Sequence, residues 1–281
     1  MFDRRTKNAE IFCDTERLYT SDDTLKQAIR QSTESQIFIS ETDHIVVPSA
    51  NKAEKAHVAV SEKRSLEAAE VYAKQGKKVC VLNFASSTNP GGGVVNGASA
   101  QEESICRCTT LYPCLNHDTM WKHFYEPHRM ARNPLYNNDC IYTPNVYVFK
   151  SDISFPVLLP RDKWWSVNIL TCAAPNLRER PSNAMNPSAG DKAAKISPTE
   201  LEKLLFSRIR RIFEVAASTE NEVLILGAFG CGAFKNPPES VAKVFYAVMQ
   251  DYLCHFDAIE YAVYHTEREM ANYEAFKRAM K

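Results

Sequence analysis

VCVLNFASSTNPGGGVVNGASAQEESICRC, from Val79 to Cys108, holds the pattern on which the fold turns. Val79, Val81, Leu82 and Phe84 form a short apolar run bounded by polar residues, which predicts a buried strand. The run breaks at Asn89-Pro90 into Gly91, Gly92 and Gly93, where positive φ and close approach of another group are both permitted. Seven residues later comes Gln101-Glu102-Glu103, at the mouth of a helix predicted over Ser104 to Leu111. Ser99 and Glu102 have capping-box spacing, and acidic residues suit a first helical turn. On those grounds alone the glutamates are an ordinary helix start. The triple glycine before them argues instead for a ligand site. Neighbouring side chains on a regular helix diverge by about 100°, so convergence of the two carboxylates requires an irregular helix entrance.

Working outward, His44 to Pro48 (HIVVP) reads as a short strand and Ser61 to Gln75 as a helix ended by Gly76. Cys140 to Lys150 and Trp165 to Ala174 have the β-branched and aromatic richness of strands. Arg178 to Lys195 is a long polar loop, the length expected of a flap or insertion. Ser197-Pro198-Thr199-Glu200 opens a helix running to about Ala217. Val223 to Leu226 is a buried strand, followed by a helix near Val241 to Leu253, a strand around Ala258 to Tyr264 and a helix from Glu267 to Ala279. This alternation predicts an α/β sheet covered on both faces. Ligands of such sheets sit beyond the carboxyl ends of the strands, where the loop from Asn83 to Gly93 falls.

The second informative stretch is EVLILGAFGCGAFKNPPES, Glu222 to Ser240. Its strand runs into a loop punctuated by Gly227, Gly230 and Gly232, and a helix starts near Pro237-Pro238. Glycine-rich backbone feeding a helix N-terminus presents N–H groups to an anion. The stretch is neither a P-loop nor a dinucleotide fingerprint. Cys231, flanked by glycines, is a candidate nucleophile for a rival hydrolase or transferase reading, because a thiol at a helix mouth can have a lowered pKa.

The 281 residues can bury a full core, and 34 basic side chains balance 34 acidic ones, so no net field draws the chain to nucleic acid or membrane. No leader or membrane-spanning run is legible. Nine cysteines scattered through strand and helix patterns read as free thiols in a reducing compartment, and a cytoplasmic location is expected. Cys106, Cys108, Cys114 and His117 lie close in sequence, but not at the usual paired zinc spacing, and are read as packing residues. His117 to Asn138 is rich in rings and bases. It is read as helix and loop with rings packed inward and arginines solvated, rather than as a nucleic-acid surface. Met1 to about Glu41 is polar and helix-like, with Ser21 to Asp23 starting the second of two short helices; it reads either as a helical extension packed on the domain or as a partly disordered tail.

Gly91-Gly92-Gly93, seven residues, then Gln101-Glu102-Glu103 resembles the GGG…QEE signature of poly(ADP-ribose) glycohydrolases. NFASSTNPGGG and LGAFGCGAFKNPP are most similar to the microbial-type branch, and the resemblance extends from about Ala56 to the C-terminus. It implies a three-layer α/β/α macrodomain-like mixed sheet, here a single catalytic domain over 46–281 with an N-terminal helical extension over 1–45. It also implies binding of ADP-ribose and hydrolysis of the ribose–ribose O-glycosidic bond. Poly(ADP-ribose) or ADP-ribosylated macromolecules would be the substrate and ADP-ribose the product, with no metal and no cofactor. By the same resemblance Glu103 is the catalytic acid and Glu102 holds ribose hydroxyls while pushing up the pKa of its neighbour. Asn83, Asn89, Gly91, Gly92, Gly93 and Gln101 would surround the terminal ribose. Gly227, Gly230, Cys231, Gly232 and Ala233 would take the diphosphate, and Phe234 would pack on the ribose. Similar Ala-Pro-Asn turns, here Ala174-Pro175-Asn176, lie beside the cleft in that branch, and its N-terminal region helps close the cleft. The alternatives are a macrodomain that binds ADP-ribose without cleaving it and a hydrolase of another ADP-ribosyl conjugate.

Overall fold

The computed structural model describes residues 3–50, 52–267 and 269–281. Met1 and Phe2 of the expected extension, and Arg268 within the expected last helix, lie outside the described residues. In chain order the helices are α1 (Arg4–Ser21), α2 (Asp23–Glu34), α3 (Ser65–Ala73), α4 (Gln101–Cys108), α5 (Leu111–Leu115), α6 (Asp118–Met120), α7 (Glu126–Ala131), α8 (Pro198–Ser218), α9 (Pro238–Met249) and α10 (Ala271–Ala279). The strands are β1 (Ile37–Ile39), β2 (His57–Ser61), β3 (Val79–Phe84), β4 (Cys140–Val148), β5 (Trp165–Cys172), β6 (Val223–Leu226) and β7 (Ala258–Ala262).

They form one seven-stranded sheet in the order β1-β4-β5-β3-β6-β7-β2. β4 runs against all the others. On β3, Cys80 and Leu82 face a core shared with Leu205, Ile209 and Phe213 of α8 and Phe245 of α9. Val79 and Val81 face the opposite core, with Leu66 and Ala69 of α3, Ile105 of α4 and Phe12 of α1. Strands buried on both faces need continuous apolar runs, and β3 and β6 have them. The expected three-layer α/β/α mixed sheet is therefore the architecture found.

Several local expectations need correction. His44 to Pro48 forms no strand. Ile45 and Val47 pack on the core and Val46 stays 75% exposed, while the Pro48 carbonyl accepts from His255. Pro48 has no N–H to offer a ladder. The strand of this region is instead β2, which occupies the start of the expected helix and delays α3 to Ser65. Gly76, at φ +78°, stands just beyond α3. β4 carries a bulge between Thr143 and Val146, around Pro144 and the left-handed Asn145. The last helix begins at Ala271, four residues later than read.

α8 starts as predicted, with Ser197 and Glu200 forming a reciprocal capping box. Among the described residues 178–195 contain no helix or strand, as expected of a long loop. α2 begins where its signal lay, capped by Asp22, which accepts from the Thr24 and Leu25 amides. β1 then pairs with β4 and extends the sheet. In 117–138, Phe124 and Tyr125 are buried as read. Arg129, however, is drawn in, donating to the Thr88 carbonyl at 2.6 Å beneath the Trp121 ring. All nine cysteines are free. Among the described residues no three His, Cys, Asp or Glu side chains come together in a group that could hold a metal. No described helix is long and apolar enough to cross a membrane.

Candidate active site

At the carboxyl ends of the parallel strands opens a cleft of about 440 Å³. Phe84 ends β3 and Ser86 follows it, Ala174 follows β5, Ala228 follows β6, and Val263 and Tyr264 follow β7 on its walls.

The first glycine loop folds down onto the start of α4. The Gly92 amide donates to the Asn89 carbonyl at 2.9 Å, and Gly91 and Gly92 both take left-handed φ, +64° and +57°. A Cβ on Gly92 would lie 2.5 Å from Glu103 Oε1 and 3.1 Å from Glu102 Oε2. Both carboxylates thus press against one backbone position, which only glycine leaves free. Gly93 donates its amide to Glu103 Oε1 at 2.9 Å. Asn89 ties the turn, donating its side-chain amide to the Gly92 carbonyl and, at 3.4 Å, to that of Met185.

The glutamates belong to the regular first turn of α4, not to an irregular entrance before it. The cap is Ala100, so the box between Ser99 and Glu102 does not form. Convergence comes from the loop folding between the side chains. Glu102 is 2% and Glu103 7% exposed. Glu102 accepts from the Ser86 amide at 2.8 Å and from Asn83 Nδ2 at 3.3 Å. Glu103 Oε2 is buried and has no protein partner. Burial pushes both carboxyls up, and repulsion from Glu103 pushes Glu102 further. The Gly93 amide and the Arg107 guanidinium oppose the rise at Glu103. Desolvation, not the neighbouring glutamate, is therefore the leading cause at Glu103.

Gln101 staples the helix to the sheet. Its Oε1 accepts from the Phe84 amide at 2.9 Å, and its Nε2 donates to the Leu82 carbonyl at 2.7 Å and Ser65 Oγ at 3.0 Å. Asn83 lies behind Glu102, with Nδ2 donating also to Thr171 Oγ1 at 3.2 Å and Oδ1 buried without a partner.

The second loop has a different build. A Cβ on Gly227 would lie 2.6 Å from the Ala262 carbonyl oxygen, so this glycine permits close approach of β7. Gly230 is left-handed at φ +74°, and its carbonyl accepts from Asn236 Nδ2 at 3.1 Å. Asn236 also donates to the Pro175 carbonyl at 2.7 Å, tying the loop to the Ala-Pro-Asn turn. Phe234 lies on the cleft wall beside Tyr136, ring centroids 6.0 Å apart. Burial pushes the Cys231 thiol up to about 12, so a thiolate is scarce at neutral pH and the cysteine-nucleophile reading loses its basis.

Of the residues expected at the site, Gly92, Gln101, Glu102, Glu103, Gly230, Gly232, Ala233 and Phe234 line the cleft. Asn83, Asn89, Gly91, Gly93, Gly227 and Cys231 lie outside its lining. Sequence reasoning missed several other lining residues. Arg64 stacks 3.9 Å above the Tyr264 ring. Asp152, its carboxyl pushed up by burial, accepts from the Leu66 amide and Ser104 Oγ. Asn186 accepts from Ser86 Oγ at 2.6 Å and Thr88 Oγ1 at 2.7 Å, pinning the loop whose amide holds Glu102. The only signal for Asn186 was two asparagines in an otherwise polar loop.

A family model described as microbial-type PARG, catalytic domain, matches residues 8–151. The poly(ADP-ribose) glycohydrolase of Thermomonospora curvata is similar at 28% identity and a TM-score of 0.85, over 98% of this chain and 100% of that one. The same enzyme bound to the inhibitor ADP-HPD matches at 26% identity and TM-score 0.80, over 98% and 99%. The Deinococcus radiodurans poly(ADP-ribose) glycohydrolase in complex with ADP-ribose matches at 28% and 0.73, over 90% and 97%. No curated protein matches the chain.

Proposed function

The chain belongs to the microbial-type PARG catalytic-domain family, and from that premise we propose how its cleft cleaves poly(ADP-ribose) to ADP-ribose. ADP-ribose lies across the carboxyl edge of the sheet, its diphosphate against the Gly227–Phe234 loop and its terminal ribose between Gly92 and the glutamates. Residues 46–281 act as the catalytic domain, and 1–45 form its N-terminal helical extension.

Glu103 is the general acid and base. Its buried, partnerless Oε2 in a cleft wall is the observation that carries this reading. Burial raises its pKa above the ordinary carboxylate value, the direction a proton donor working near neutral pH requires. Glu103 gives its proton to the departing ribose oxygen as the C–O bond breaks and an oxocarbenium-like centre develops. It then takes a proton from the water that adds to the anomeric carbon. Glu102, held by Ser86 and Asn83, orients ribose hydroxyls. The diphosphate, negative and nearby, stabilises the cationic sugar.

The test is Glu103→Gln on labelled poly(ADP-ribose), together with calorimetric binding of ADP-ribose. Turnover is expected to fall by ~10²–10⁴-fold with ADP-ribose affinity preserved. Unchanged turnover removes Glu103 from the mechanism.

A further inference from the structure

Helix α1 contributes no described residue to the cleft, yet polar contacts from it reach both ends of the stretch that carries Glu103. At one end is Gly97. Its φ of +73° and the Arg5 carbonyl oxygen, which any Cβ on it would overlap, leave room for glycine alone. Asn8, 1% exposed, donates to the Gly97 carbonyl at 3.2 Å, and Arg5 Nε donates to the Asn96 carbonyl at 2.8 Å. Gly97 closes the short turn Val94–Asn96, and the Ala98 amide returns to the Gly93 carbonyl at 3.1 Å. Gly93 is the residue whose amide holds Glu103 Oε1.

At the other end, the buried Thr15 hydroxyl donates to the Arg107 carbonyl at 2.7 Å, one helical turn past Glu103, with the Ile11 carbonyl at 3.0 Å. Arg107 closes the circuit, donating Nη1 to the Ala98 carbonyl at 2.5 Å. α1 is itself anchored. Lys150, 2% exposed, donates to the Ile11 carbonyl at 3.0 Å and to Asp14 at 2.8 Å, and Phe12 sits in the core edge-on to Tyr112. A helix that served only to cover the sheet would bury apolar side chains at these positions. This one buries Asn8 and Thr15 on either side of Phe12.

We propose that α1 is a positioning element for the reaction, with Asn8 and Thr15 as the residues that hold Glu103 in register from outside the cleft. The proposal rests on Glu103 being the general acid. Misplacing a reacting group by about 1 Å costs up to 10²-fold in rate, so a partial loosening reads out mainly in kcat.

The experiment compares Thr15→Val, which keeps shape and removes the hydroxyl, with Thr15→Ser, which keeps the hydroxyl, and adds Asn8→Leu. Steady-state turnover of poly(ADP-ribose), calorimetric ADP-ribose binding and Tm are measured for each. Thr15→Val and Asn8→Leu are expected to lower kcat by ~10-fold with KM and ADP-ribose affinity within about twofold, and Thr15→Ser to restore kcat. Wild-type kcat in both variants overturns the proposal. So does a loss in Thr15→Val that Thr15→Ser fails to restore. If Glu103→Gln abolishes turnover while these variants are silent, the brace alone falls. If Glu103→Gln is itself silent, the underlying assignment falls.

Discussion

In the loop that runs from Asn89 to Gly97, a Cβ added to any of the glycines would meet another group, whereas one on Gly232 in the Gly227–Phe234 loop would have nothing within 4 Å. Gly91 meets Tyr112, Gly92 meets both glutamates, Gly93 meets Met185, and Gly97 meets α1. There glycine serves close packing, and the backbone is shaped around two buried acids. In the second loop Gly227 and Gly230 are crowded from the protein side, by β7 and by Asn236 with Ala174. The face around Gly232 is left open toward the cleft. In the proposed mechanism one loop holds side chains for chemistry, and the other keeps backbone free for the diphosphate.

The largest effect expected from this contrast is at Gly92. In Gly92→Ala a methyl would displace the Glu103 carboxylate and force a left-handed alanine, so turnover should fall by ~10²-fold or more, with a lowered Tm. An active, stable Gly92→Ala would break the contrast. Next comes the pair in the second loop. Gly230→Ala, strained at positive φ and pressed on Asn236, should raise KM by about 10-fold, roughly 1.4 kcal/mol. Gly232→Ala should stay within about 0.5 kcal/mol of wild type in stability. Equal KM values for the two would remove the distinction between crowded and open positions.

The smallest effect concerns stability and pH. Glu102 has a folded-state pKa raised well above its ordinary value by burial and by Glu103. A raised carboxyl binds protons more tightly in the folded state. Its contribution to stability is therefore full below the ordinary glutamate range and is lost as pH rises through the folded value. Glu102→Gln removes that loss, and Asn83, whose Oδ1 is unpaired, can turn its amide to accept from the new Nε2. Above the ordinary glutamate range the variant's Tm should exceed wild type by roughly 2–4 °C, about 1 kcal/mol at this chain length. Turnover should fall in the same variant. A Tm difference that does not vary between pH 4 and pH 8 (roughly the window in question) would show that Glu102 is not destabilised by its surroundings.

Much of the cleft could be read along the chain because its parts are contiguous. The β3 run, the triple glycine and the glutamates follow one another within Val79–Cys108, and the Ser197 box announced α8 outright. What escaped was set by partners far away in sequence. HIVVP has the composition of a strand, but the neighbouring edge of the sheet is taken by β2 pairing with β7. Asn186 gains its place from Ser86 and Thr88, about a hundred residues earlier. Thr15 reads as one more polar residue of a polar helix until α4 lies beside it. Cys231 looked activated by its flanking glycines, and burial reversed that inference.

By itself the amino-acid order determined where the chain must turn, which runs must be buried, and that two acids follow a loop of unhindered backbone. Those properties come from side-chain volume, polarity and allowed φ, which act over a few residues. Tertiary structure alone decided that the acids are shielded from water, that one carboxylate oxygen is left without a partner, and that the first helix grips the stretch bearing them. Desolvation and hydrogen-bond pairing depend on which distant segments come to surround a group, and only the assembled sheet and helices supply those surroundings.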